Sequence, residues 1–132
     1  MLDRIDRYLA PNVNALNLRA QRSEVLSANL ANSDTPNYKA RDFDFRAAMT
    51  GALNKGDLRM ARTSPEHLDP KAATGATPRL QYRMPAQSSI DGNTVESDAE
   101  IGRFSDNAIR YQAALSFTSQ SIRALQTALQ GQ

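Results

Sequence analysis

Few side chains in this sequence could carry chemistry. His67 is the only histidine, and it sits in Ser64-Pro65-Glu66-His67-Leu68-Asp69-Pro70. An imidazole between two carboxylates could bind a metal or act as a base, but a zinc site gathers several His or Cys ligands. No second histidine and no cysteine are present to supply them, so His67 reads as a surface-turn residue. Asp42 and Asp44 alternate with Phe43 and Phe45. Paired carboxylates do acid–base work only across a cleft. On an extended backbone the two would share one side and the phenylalanines the other. Burial of the rings and solvation of the carboxylates then accounts for the pattern. The six glycines are scattered rather than gathered into a phosphate-binding loop. Tyr8, Tyr38, Tyr82 and Tyr111 do not cluster as a stacking platform for single-stranded nucleic acid. No catalytic, cofactor-binding or metal-binding residues are expected, and the chain is not read as an enzyme.

Composition points the same way. The 132 residues suit one domain, or one small domain with arms. The hydrophobic fraction is 40%, aromatics are 6%, and tryptophan is absent. A chain this short buries roughly two thirds of its unfolded surface. With so few large apolar side chains, the isolated monomer is expected to be marginal, with some burial supplied by neighbours. Lys+Arg is 16 against Asp+Glu 14, a net charge of +2. The sequence pI of 9.2 reflects only a small excess of arginine. Arg4, Arg7, Arg19 and Arg22 are interleaved with Asp3, Asp6 and Glu24, and Lys39, Arg41 and Arg46 with Asp42 and Asp44. This is a mixed-charge surface, not the basic face of a nucleic-acid binder. The absence of cysteine excludes disulfides and thiolate chemistry. No apolar run approaches a membrane span. The opening Met1-Leu2-Asp3-Arg4-Ile5-Asp6-Arg7 lacks the pattern of a cleavable signal peptide. Export, if it occurs, is expected to follow another route.

What remains is helical patterning. In the first segment, 2–32, Leu2, Leu9, Leu16 and Leu30 share one heptad position, with Ser23 in the fourth slot. Val13, Ala20 and Ser27 form the adjoining stripe, whose small members, with Ser23, permit close helix approach. Pro11 interrupts the pattern, so the helix either starts there or kinks there. From Pro11 to Asn32 it would be about 30 Å long. The segment 33–57 follows. Thr35 precedes a proline and is pushed toward extended geometry. Pro36-Asn37 suits the centre of a β-turn, with asparagine tolerating the left-handed position. Tyr38 to Arg41 then leaves as a strand or arm. A short helix is expected from Asp42 or Asp44, on the spacing of Phe45, Met49 and Leu53, with Gly56 ending it.

The middle region, 58–95, is expected to be irregular with short β pieces. Leu58–Arg62 and Arg79–Met84 are candidate strands, the second alternating Leu80, Tyr82 and Met84. Ser64-Pro65-Glu66 resembles a capped turn, Pro70–Pro78 a loop tip, and Asp91-Gly92 a turn. In the last segment, 97–130, Ser97-Asp98-Ala99-Glu100 reads as a capping box. Ile101, Phe104, Ala108, Tyr111, Leu115, Thr118, Ile122, Leu125 and Leu129 then follow at alternating spacings of 3 and 4. That is a coiled-coil seam on a helix roughly 45–50 Å long. The expected fold is therefore mainly α: long N- and C-terminal helices packed as a coiled-coil-like antiparallel pair, with a short irregular/β insertion between them. Two helices alone cannot cover both stripes, so further helices from other copies or partners are expected.

Two stretches carry a specific likeness. Asn29-Leu30-Ala31-Asn32-Ser33-Asp34-Thr35-Pro36-Asn37-Tyr38-Lys39-Ala40 resembles the Ala-Asn-x-x-Thr-Pro-x-Tyr motif after the first helix of flagellar rod and hook proteins. Asp91-Gly92-Asn93-Thr94-Val95, with Asn107 and Tyr111-Gln112, is similar to the entry to the last helix in proximal-rod members of that family. The opening Met1-Leu2-Asp3-Arg4, the stretch Ala15–Arg22, Arg62-Thr63 and His67-Leu68 fit as well. Glu96 stands where the family more often has aspartate.

The resemblance implies a non-catalytic subunit of the bacterial flagellar basal-body rod, in the periplasmic space. It implies export through the flagellar type III channel without a cleaved signal, and terminal regions that order on assembly. Implied partners are other copies of itself, neighbouring rod proteins, a membrane-ring adaptor at the rod base and, in transit, the export apparatus; nucleic acid is not among them. On this reading Leu9, Leu16, Leu30, Phe104, Tyr111, Leu115, Ile122 and Leu125 carry subunit packing. Asn29, Asn32, Thr35, Pro36 and Tyr38 form the family turn, and Asp91, Gly92, Asn93, Thr94 and Val95 the family entry motif. Two rival readings stand beside it: a soluble coiled-coil adaptor or secretion chaperone, and a basic nucleic-acid-binding module.

Overall fold

A computed structural model describes residues 2–53, 78–87 and 89–131. The order of elements is α1 (Leu2–Ala31), β1 (Arg41–Asp42), α2 (Phe45–Leu53), β2 (Gln81–Tyr82) and α3 (Ser97–Gln130). The fold is mainly α, with long terminal helices packed together and a two-stranded insertion. The expected strand at Leu58–Arg62, the turn at Ser64–Glu66, His67, Gly56 and most of the Pro70–Pro78 loop lie outside the described residues.

The first helix runs through Pro11 without a break, so it does not start there. Proline at this position lacks the N–H that would bond the Arg7 carbonyl, and the surrounding turns carry the helix across that missing link. It closes on tightened i→i+3 bonds, Asn32 N to Asn29 O (3.1 Å) and Ser33 N to Leu30 O (3.2 Å). The turn expected at Pro36-Asn37 is present: Tyr38 N donates to Thr35 O at 3.3 Å, and Asn37 has φ 61°. Past the turn, β1 pairs antiparallel with β2 in the register Arg41↔Tyr82 and Asp42↔Gln81. One further bond, Arg83 N to Ala40 O at 2.9 Å, extends the pairing.

Asp44 caps α2, its Oδ1 accepting from Arg46 N (2.8 Å) and Ala47 N (3.2 Å). The Asp42–Phe45 alternation thus divides differently from the expected one. Phe43 is buried and Phe45 half-buried beneath the Arg19 guanidinium, 3.8 Å from the ring centroid. Asp44 is exposed, but Asp42 is half-buried and ion-paired rather than solvated.

The start of α3 corrects a second expectation. Glu96 is the N-cap and makes no side-chain cap bond, and Ser97 is already the first helical residue. The Ser97/Glu100 capping box does not form. Glu100 is fully buried and turned to tertiary partners, which compete successfully with a local back-bond. The Glu96 carboxylate instead accepts from Ala86 N at 2.7 Å.

The two long helices run antiparallel, held at Asn29–Glu100, Arg19–Asn107 and Asn12–Ser121. Among the described residues the buried apolar side chains are Leu18, Leu26, Ala40 and Phe43. Leu18 and Leu26 lie eight residues apart on one helical face. Among the described residues the polar side chains Asn29, Asn93, Glu100 and Asn107 are buried beside them.

Candidate subunit-packing surface

The stripe expected to form the α3 seam is split by the fold. Phe104, Thr118 and Leu125 are half-buried against α1, together with Ala114 and Ser121, and Asn107 is fully buried. The neighbouring stripe is left in the open: Ile101, Ala108, Leu115 (49% exposed), Ile122 (41%) and Leu129. Tyr111 stands at the border, 37% exposed. The face turned to α1 therefore follows Glu100, Asn107, Ala114 and Ser121 at seven-residue steps, not the more apolar row beside it. The reason is polar. Asn107 Nδ2 donates to Arg19 O (2.9 Å), and Glu100 Oε2 accepts from Asn29 (3.0 Å). These bonds set the rotation of α3, and an apolar row stays exposed as a result.

On α1, Leu9, Leu16 and Leu30 are half-buried, while Val13, Ala20 and Ser27 are exposed. Side by side, the α1 and α3 stripes enclose an open groove of about 650 Å³, lined by Ala20, Ser23, Ser27, Ala108 and Tyr111 among others. From Tyr111 to Gln130 the only charged residue is Arg123. Phe117 and Ile109 also face solvent, away from that groove's lining. A water-facing helix normally carries charge on its polar side. From Tyr111 on, this one has exposed apolar residues and a single charge, a surface made to be covered.

The two motif stretches, more than fifty residues apart in sequence, meet as one unit. Asn93 is buried, and its Nδ2 donates to Asn32 O (3.0 Å), Ser33 O (2.6 Å) and Thr35 O (3.0 Å). It thus ties together three carbonyls of the turn that follows α1. Asn37 N donates to Asp91 O (2.9 Å), Thr94 N to Tyr38 O (3.0 Å), Ala40 N to Thr94 Oγ1 (2.8 Å), and Lys39 Nζ to Gly92 O (2.6 Å). Gly92 has φ +73°, and a Cβ there would lie 2.7 Å from Asn37 Oδ1. Val95 is half-buried, and its N–H donates to Asn93 Oδ1. Ser89 Oγ and the Asn93 N–H bond the exposed Asp91 carboxylate, holding it below the usual carboxylate range. Asn29, fully buried, links this unit to the helices. Its Nδ2 donates to Arg41 O (2.8 Å), and its Oδ1 accepts from Arg41 N (3.1 Å) and from Tyr38 Oη (3.4 Å). Pro36 and Thr35 are exposed, and Thr35 Oγ1 donates to Asn32 Oδ1 at 3.1 Å.

Leu18, Leu26, Arg83 and the buried role of Glu100 escape the sequence reading. Leu18 and Leu26 lie off the heptad row. Arg83 and Glu100 look like ordinary solvated charges until the fold places them together. Among the described residues no His/Cys/Asp/Glu group could hold a metal ion, and no helix is long and apolar enough to cross a membrane.

The family model described as "Flagella basal body rod protein" matches residues 12–39, the later two thirds of α1 and the turn after it. The chain is 45% identical to the Flagellar basal body rod protein FlgB of Escherichia coli (strain K12), over 98% of both chains. It is 42% identical to the protein of that name from Salmonella typhimurium, over 99% of both. With that of Cereibacter sphaeroides it shares 41% identity over 94% of both.

Proposed function

The chain belongs to the flagellar basal body rod protein family and is a structural subunit of the flagellar basal-body rod, and from that premise we propose that it polymerises through the exposed stripe of α3. As a rod protein it self-assembles and associates with other flagellar rod proteins. The proposal adds where the contact lies. The observation that carries it is the uncovered row Ile101, Leu115, Ile122 and Leu129 on a helix whose last twenty residues hold one charge. Neighbouring subunits lay their helices against this row and the adjoining groove, burying what the monomer leaves wet. Leu9, Leu16, Leu30, Phe104 and Leu125, half-buried, shape the same helix pair from within, and Tyr111 stands at its border. Head-to-tail contacts that do not close on themselves build an open helical tube. The subunit sits at the proximal end of the rod, against the membrane-ring adaptor, and reaches the periplasm through the flagellar export channel without a cleaved signal. A chain with few aromatic side chains and no cysteine suits passage in unfolded form.

The test replaces Leu115 and Ile122 together by aspartate in a motile strain. Both side chains are exposed, so the purified monomer should keep its helicity while the protein fails to enter the rod and swimming is lost. Normal incorporation of the double variant would overturn the proposal. So would normal hooks in a strain lacking the protein altogether.

A further inference from the structure

Where the insertion meets the helix pair, six polar side chains converge: Arg22 and Asn29 from α1, Asp42 from β1, Arg83 just after β2, and Glu100 and Arg103 from α3. Asp42 accepts from Arg22 at both oxygens (3.1 and 2.9 Å) and from Arg83 Nη2 at 2.7 Å. Glu100 is 0% exposed. Its Oε1 is ion-paired to Arg83 Nη1 and to Arg103 Nη1 (2.7 Å), and its Oε2 accepts from Asn29 (3.0 Å). Among the described residues Arg83 is thus the guanidinium shared by both carboxylates, with one arm of its fork on each.

The electrostatics make this arrangement conditional. A fully buried carboxylate has lost its hydration and is tolerated only when its partners are all in place. Arg103 lies on the same helix, one turn on, and moves with Glu100. Asn29 and Arg83 come from elsewhere, so Glu100 settles only when α3 lies on α1 and the insertion is docked. Conversely, Arg83 itself is largely buried and finds its second carboxylate only on α3. A planar fork that grips two carboxylates at once cannot be satisfied piecemeal.

We propose that Arg83 is a latch that joins the docking of the insertion (38–44 with 80–84) and the first turns of α3 into one cooperative unit. Neither part is held firmly without the other, and because such coupling is reciprocal, whatever steadies α3 also sets the insertion. A neighbour packing along α3 would then fix the angle of the outer part of the subunit. The latch itself acts within one chain and stands apart from which face α3 uses for assembly.

Amide hydrogen exchange on the full-length monomer tests it. In Arg83→Met the insertion is altered, yet the N–H groups of residues 100–104 should exchange faster too, by about five-fold or more. In Glu100→Gln the change is in α3, yet the Arg41 and Thr94 N–H groups should speed up likewise. The double variant should be little worse than either single one, since one link has been cut twice. If each substitution loosens only its own segment and the two effects add, the pairs are independent and the latch is wrong. Should Arg83→Met not fold, Arg83→Lys serves: one ammonium cannot fork across both carboxylates, so it must also loosen both segments. Loosening of one segment alone would overturn the proposal.

Discussion

Asn107 and Arg19 lie 88 positions apart and are bonded twice. The Asn107 Nδ2 donates to the Arg19 carbonyl at 2.9 Å, and its Oδ1 accepts from the Arg19 guanidinium at 3.4 Å. Asn107 is buried. Arg19, stacked over Phe45, has its pKa lowered by burial and then by the nearby charges of Arg110 and Arg22. One amide thus pins the rotation of α3 on α1 at mid-length. It is the reason the apolar row one residue further round stays outside.

Replacing Asn107 by leucine tests that role. It leaves the guanidinium and a carbonyl lone pair without their partner, and the expected cost is about 1–3 kcal/mol in urea unfolding. A leucine also removes the bias against the apolar rotation. The Leu115 row should then lose exposure in the monomer, and rod incorporation should fall with it. Full stability with unchanged incorporation would show that the amide does not set the register.

Asn93 offers a sharper contrast. Asn93→Ala removes the donor that holds the turn after α1, with an expected loss of about 1–3 kcal/mol. Asn93→Asp changes only an NH2 to an oxygen, but it sets a negative charge against three carbonyls. It should be the more damaging of the two, in urea unfolding and in exchange of the Asn37 and Thr94 amides. If aspartate is tolerated better than alanine, the amide is not holding the turn as a donor.

Asp42 predicts a pH dependence. Burial pushes its carboxyl up, but bonds from Arg22, the Phe43 N–H and Arg83 outweigh burial and hold it below the usual carboxylate range. A pKa lower in the folded than in the unfolded chain contributes stability above the unfolded value, about 3.9, and that contribution fades as pH falls through the folded one. The stability gap between the native chain and Asp42→Asn should therefore be full at pH 5–7 and shrink between about pH 4 and pH 2. A gap constant across that range would show that the carboxylate is no stronger an acid folded than unfolded.

Much of the fold was legible because it is local. The heptad rows of α1 and α3, the Thr35-Pro36-Asn37-Tyr38 turn with its left-handed asparagine, and the Arg79–Met84 strand signal all rest on short-range rules of backbone and side-chain spacing. The Ser97/Glu100 capping box was read by the same rules and does not form. A local bond of that kind is weak beside a buried ion pair, and no spacing rule shows that Arg83 will arrive from across the insertion.

The amino-acid sequence by itself determined that two long helices would form and where the chain would turn between them. Tertiary structure alone decided which side of α3 meets α1. Periodicity offers two adjacent rows, and hydrophobicity alone favours the more apolar one. The choice fell to Glu100 and Asn107, because a buried polar group must find its partners or cost more than an exposed leucine. That choice leaves Leu115 and Ile122 facing outward.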